Sequence, residues 1–228
     1  MQRREFSSAG LSAAGLWLFG VPAYAAVSES EAGSGIRAAL ERGAIAAVQL
    51  LGRTDGFLGN PKVRIPLPGF LNDAARFLRA TGQQRRVDEL VTAMNRAAES
   101  AVPEAKTLLV GAVRSMSVED ARLILTGGDD AATQFFAGKT REPLSLKFLP
   151  IVTRATERVS LAAKYNAVAG KAASLGLLKA DEANIERYVT GKALDGLYLI
   201  IAEQERQIRR DPVGTGSAIL KKVFGSLK

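Results

Sequence analysis

The sequence predicts an all-α protein, a single helical-bundle domain of about nine or ten helices with one extended Pro/Gly-rich segment. Three observations lead there. Apolar side chains recur at helical spacing along most of the chain, as at Ile36, Leu40, Ala44, Val48 and Leu51. The 228 residues are 47% hydrophobic and 24% charged, a globular balance that supports a buried core. One stretch breaks the pattern: residues 53–69 (RTDGFLGNPKVRIPLPG) gather Pro61, Pro66 and Pro68 with Gly56, Gly59 and Gly69.

Residues 1–25 read as an export signal. Arg3 and Arg4 make a basic start, Ala9 to Val21 a modestly apolar run, and Ala23-Tyr24-Ala25 a small-x-small site, so cleavage is expected after Ala25. The apolar run falls short of the roughly 20 residues that span a bilayer, and Pro22 breaks it. Arg3-Arg4-Glu5-Phe6 has the twin-arginine form R-R-x-F, and the Gly/Ala/Ser-rich run is less hydrophobic than a general secretory signal. The expectation is a periplasmic protein, residues 26–228 forming one α-helical domain with no transmembrane span.

The first helix covers about 31–51 and is closed by Gly52. In 53–69 each proline removes an amide donor and biases its predecessor away from the helical region. The alternation of Lys62-Val63-Arg64-Ile65 therefore suits an extended segment or a short strand ending at Pro66. Helices return at 70–80 and 85–101, the second with Val87, Leu90, Val91, Met94, Ala98 and Ala101 on one stripe. Pro103 suits the first turn of a helix reaching Met116. Ser117 with Asp120 three residues on forms an N-cap arrangement for 118–125. Gly127-Gly128 ends that helix and Asp129 or Asp130 caps the next, through Phe136. Thr140 opens a further helix, bent at Pro150, and 162–175 hold a short one. Asp181 caps a long helix to about Arg210, terminated by Asp211-Pro212, and an amphipathic tail with Ile219, Leu220, Val223 and Phe224 follows.

Absent residue types exclude whole chemistries. With no His and no Cys there is no imidazole or thiolate metal site, no Ser-His-Asp or Cys-His nucleophile, no Cys-ligated iron–sulfur cluster and no disulfide. No cofactor and no metal is expected. Lys and Arg number 31 against 23 Asp and Glu, and removing residues 1–25 leaves 29 against 22, a charge of +7. In an exported chain the polyanions within reach are anionic lipids and cell-wall polymers, so nucleic acid is not an expected partner.

Candidate binding residues come from polar groups in apolar surroundings. Residues 193–202 (ALDGLYLIIA) are apolar around the helix except at Asp195, so this is expected to be a buried central helix. A buried carboxylate needs a partner or a cavity; Lys192 lies three residues before Asp195, and Tyr188 one turn before Lys192. Asn95 and Glu99, four apart, flank the stripe of their helix and suit a polar ligand. Phe57, Leu58, Ile65 and Leu67 offer apolar contact under the 53–69 segment, with Lys62 or Arg64 to meet an anionic group.

Several short motifs occur in a specific order: TDGFL (54–58), IPLP (65–68), MNRAAE (94–99) with Pro103-Glu104-Ala105, DDAAT (129–133), Pro150-Ile151-Val152 and KALDGL (192–197). Their combination resembles the bacterial family known as domain of unknown function 4197. The resemblance implies a mainly helical, exported domain and carries no catalytic or binding residue with it. The first functional expectation is a non-catalytic envelope module that binds an apolar or anionic ligand, or a partner protein, between its helices. The alternative is a carboxylate-dependent hydrolase of cell-wall glycan, with Glu99 and Asp195 as its two carboxyl groups. A third is an assembly protein without a pocket.

Overall fold

The structure, a computed structural model, describes residues 29–176 and 183–211. The expected leader, the Asp181 cap and the tail 217–228 lie outside them. Within them are eight α-helices and one 3-10 turn: α1 Glu29–Leu51, α2 Gly69–Ala80, α3 Gln84–Ala101, the turn Val102–Glu104, α4 Ala105–Arg114, α5 Val118–Thr126, α6 Ala131–Thr156, α7 Ser160–Ser174 and α8 Ile185–Arg210. The all-α reading holds. The count of nine or ten does not, because the two helices expected on either side of Thr140 are one. Pro143 and Pro150 lie inside it on its exposed side, where water can take the carbonyls that proline leaves without a donor.

The α8 helix is the axis of the bundle. It packs most extensively on α6 and then on α1, with α3 also against it. Ala193, Leu194, Leu197, Tyr198, Ile200 and Ile201 are buried, as the apolar wheel requires. Two positions break that wheel. Asp195 is half-exposed and Leu199 is 41% exposed, so the helix keeps a wet seam on which Lys192 also lies.

Residues 53–69 fold as turns followed by extended chain, and no strand occurs among the described residues. A lone extended segment needs a partner for its backbone, and here α3 supplies one. Phe57, Val63, Ile65 and Leu67 enter the core, so the segment plugs the bundle. Gly196 of α8 admits the plug: a Cβ there would stand 2.8 Å from the Phe57 ring and 3.2 Å from Val63 Cβ. Phe57, expected to offer apolar contact to a ligand under this segment, is fully buried in the core.

Side-chain caps fix the starts of α5 and α8. The Ser117–Asp120 box is formed: the Asp120 amide donates to Ser117 Oγ at 3.0 Å, and the Ser117 amide donates to Asp120 Oδ2 at 2.9 Å. The Ser117 amide, joined by the Ser117 hydroxyl donating to the same oxygen at 2.8 Å, holds the Asp120 carboxyl below its ordinary value. Asn184 caps α8, accepting from the Arg187 amide at 2.9 Å.

Candidate functional site

Asn95 and Glu99 are buried and hydrogen-bonded within the protein. Asn95, fully buried, accepts from the Ile65 amide at 2.8 Å and donates Nδ2 to the Ile65 carbonyl at 3.0 Å, replacing the strand that Ile65 lacks. Its Nδ2 also donates to the Val91 carbonyl of its own helix. Glu99 Oε1 accepts from the amides of Phe57 and Leu58, both at 3.0 Å, and Oε2 from Arg96 at 2.6 Å. Arg96 reaches on to Asp55 at 2.8 Å, the one described non-glycine residue with positive φ, at 64°. The MNRAAE and TDGFL motifs therefore meet as a staple between α3 and the plug. Glu99 is spent in it and, unlike Asp195, lines neither of the hollows described below.

A second staple was invisible in the sequence. Asp130 stands at the start of α6 but its side chain makes no capping bond. Glu205 of α8 does the capping from across the bundle: its carboxylate accepts from the amides of Ala132 and Thr133 and from the Thr133 hydroxyl, each at 2.9 Å. Arg209 donates to Glu205 at 2.8 Å and to the Ile124 carbonyl near the end of α5 at 2.7 Å, so one ion pair closes two helix ends. The only sequence signal was an acidic and a basic residue one turn apart on the long helix. Their partners are more than seventy residues away in the chain, beyond any local pattern.

Tyr188, Lys192 and Asp195 do come together, beside an open groove of about 800 Å³ between α6 and α8. Ala137, Gly138, Arg141, Glu142, Ser145 and Leu149 of α6 form one wall. Arg187, Thr190, Gly191 and Leu194 join the three α8 residues on the other. Asp195, with a side chain 51% exposed, is held by Arg141 and faces Lys192 at 4.0 Å, so the expected Lys192 pairing is the weaker of its two contacts. Lys192 also stands over the Tyr188 ring, whose hydroxyl donates to the Pro66 carbonyl at 3.1 Å. Tyr188 thereby ties α8 to the 53–69 segment. A smaller hollow of about 220 Å³ on the far side of Asp195 is lined by Lys62, Arg64, Ile65, Pro66 and Leu199, with Lys192 and Asp195 shared between the two. Lys62 pairs with Glu203 at 2.7 Å.

Arg141, Arg187 and Thr190 were not singled out by sequence, and each matters here. Arg141 lies over the Tyr198 ring with its guanidinium 5.6 Å from the centroid. Burial pushes the Tyr198 phenol above its ordinary value, against the opposing charge of Arg141. Arg187 makes no ion pair among the described residues. Thr190 is 2% exposed and its hydroxyl has no hydrogen-bond partner, a condition shared among the described residues with Arg37 Nε. Gly138 and Gly191 face open space: a Cβ added at either would meet nothing within 4 Å.

Among the described residues no cluster of His, Cys, Asp and Glu side chains could hold a metal ion, and no helix is long and apolar enough to cross a membrane. No curated protein and no solved structure matches the chain. A family model described as "Protein of unknown function (DUF4197)" matches residues 26–225. That span takes in both staples, the plug and the groove, and the chain belongs to the DUF4197 family.

Proposed function

We propose that the protein is an exported, non-catalytic binding module that carries its ligand in the groove between α6 and α8. The observation behind this reading is the groove itself, about 800 Å³ in volume, with Thr190 on its wall holding an unpaired buried hydroxyl. A volume of that order accommodates a small organic molecule. A polar group buried without a partner destabilises the free protein, and a ligand that supplies the partner removes that penalty. The remaining lining suits binding, since Leu149 and Leu194 offer apolar contact and Arg141, Arg187 and Lys192 offer charge. Export rests on the leader at residues 1–25, and the matched span beginning at Ala26 is consistent with cleavage after Ala25.

The test is to express the full chain in a bacterial host, release the periplasmic contents and weigh the protein by native mass spectrometry. The expected species begins at Ala26 and carries added mass that denaturation removes. Gly191→Leu, which puts a side chain into the open groove, is expected to return the bare chain. Equal added mass on both proteins, or none on the wild type, rejects the groove as the binding site.

A further inference from the structure

The groove is unevenly charged. Arg141, Arg187 and Lys192 line it against Glu142 and Asp195, leaving one positive charge in excess. Arg141 and Lys192 both attend to Asp195, whereas Arg187 makes no ion pair among the described residues and is the cation left for a ligand. Arg187 and Thr190 are one helical turn apart on α8, and Gly191 lies four residues from Arg187 on the same face. A guanidinium with five donors, one helical turn from an unpartnered hydroxyl on the same groove wall, matches the oxygens of a phosphate ester or a carboxylate. A doubly charged group would leave a net negative site, whereas a singly charged one is balanced. Gly138 and Gly191 offer bare backbone on opposite walls, a place for bulk that side chains would otherwise fill.

We infer that the ligand carries a singly charged oxyanion, a phosphodiester or a carboxylate, held by Arg187 and Thr190 while its body lies across Gly138 and Gly191. The inference rests on the groove reading above and names its ligand class. Anionic lipid and a soluble organic anion share this chemistry, and the probes separate them.

The experiment titrates the mature chain, by calorimetry, with dihexanoyl phosphatidylglycerol, its phosphatidylcholine counterpart, glycerophosphoglycerol and hexanoate. Binding of the phosphatidylglycerol but not of glycerophosphoglycerol supports a lipid source; binding of glycerophosphoglycerol or hexanoate supports a soluble one. Arg187→Gln is expected to weaken the bound anion by about tenfold or more, and Thr190→Val by about three- to tenfold, the range for losing a charged and a neutral hydrogen bond. Gly191→Leu is expected to abolish binding with the helical circular dichroism unchanged. If phosphatidylcholine binds as well as phosphatidylglycerol and Arg187→Gln changes nothing, or if none of the anions binds, the oxyanion is wrong while the groove stands. If an anion binds and Gly191→Leu leaves it untouched, the groove reading falls.

Discussion

The α3 staple and the α6/α8 groove both gather polar residues beside apolar helix faces, yet they end in opposite states. Around Asn95 and Glu99 the valences are used: five of their six hydrogen bonds go to backbone groups of the plug or of α3, and the sixth to Arg96. In the groove Thr190 has no hydrogen-bond partner and Arg187 no counter-ion among the described residues, and two glycines leave space unfilled. A buried polar residue therefore does not by itself mark a binding site. A polar group with capacity left over, beside room for something to use it, is the better sign.

The sharpest way to break this comparison is at Glu99. If it is a staple, Glu99→Ala strands the amides of Phe57 and Leu58 and leaves Arg96 facing a buried gap, a loss of about 3–5 kcal/mol in urea unfolding. The oxyanion affinity of any molecules that remain folded should be unchanged. A stable Glu99→Ala protein with weakened ligand binding would reverse the assignment of the two regions. Next in size is Gly196→Ala, which sets a methyl 2.8 Å from the buried Phe57 ring and should destabilise by about 1–3 kcal/mol. A neutral result would mean that the plug is loosely seated.

The sequence made the helices legible because they are amphipathic or capped, and periodicity and caps are local. Ser117 with Asp120 is a complete local signal, and the box forms. The apolar run 193–202 was enough to place α8 at the centre. It missed Leu199 on the wet seam, because hydrophobicity does not say which side of a buried helix the neighbours leave uncovered. The break expected between Phe136 and Thr140 does not occur: Ala137, Gly138 and Lys139 continue one helix, which also runs through Pro143 and Pro150 on its exposed side. Of the site, the row Tyr188, Lys192, Asp195 was legible from one helix alone. Arg141 and the Glu205 cap were not, since each acts on a partner more than fifty residues distant.

Two smaller predictions probe the groove side and carry the opposite sign. Thr190→Val keeps the shape and deletes the unpartnered hydroxyl, so the free protein should gain about 1 kcal/mol while binding weakens. Gly191→Ala adds a methyl that touches nothing within 4 Å and removes a helix-interior glycine, a gain of about 0.5–1 kcal/mol. Gly111, also open but lining none of the hollows described, supplies the control: Gly111→Ala should stabilise similarly and leave binding alone. Gains in stability with loss of binding at Thr190 and not at Gly111 would place the unused capacity in the groove.

The smallest expected effect separates the two hydroxyls of α8. Unlike Thr190, Tyr198 is partnered: Thr140 donates its one proton to the Phe136 carbonyl at 2.7 Å, so in the 2.8 Å contact between the hydroxyls the phenol is the donor. Burial favours the neutral phenol and raises its pKa from the ordinary 10.0. The folded state therefore holds this proton more tightly than the unfolded chain. The resulting contribution is present in full below the ordinary value and is lost as pH rises through the raised one. Tyr198→Phe should make the fall in stability above the ordinary phenol value shallower, measured by urea unfolding across that range. It should also remove one phenol from the high end of the phenolate absorbance titration. Thr140 keeps its bond to Phe136 in the variant, so no new buried donor is stranded. An unaltered alkaline limb would mean that the phenol ionises in contact with water, and the interior beneath Arg141 would then be wet.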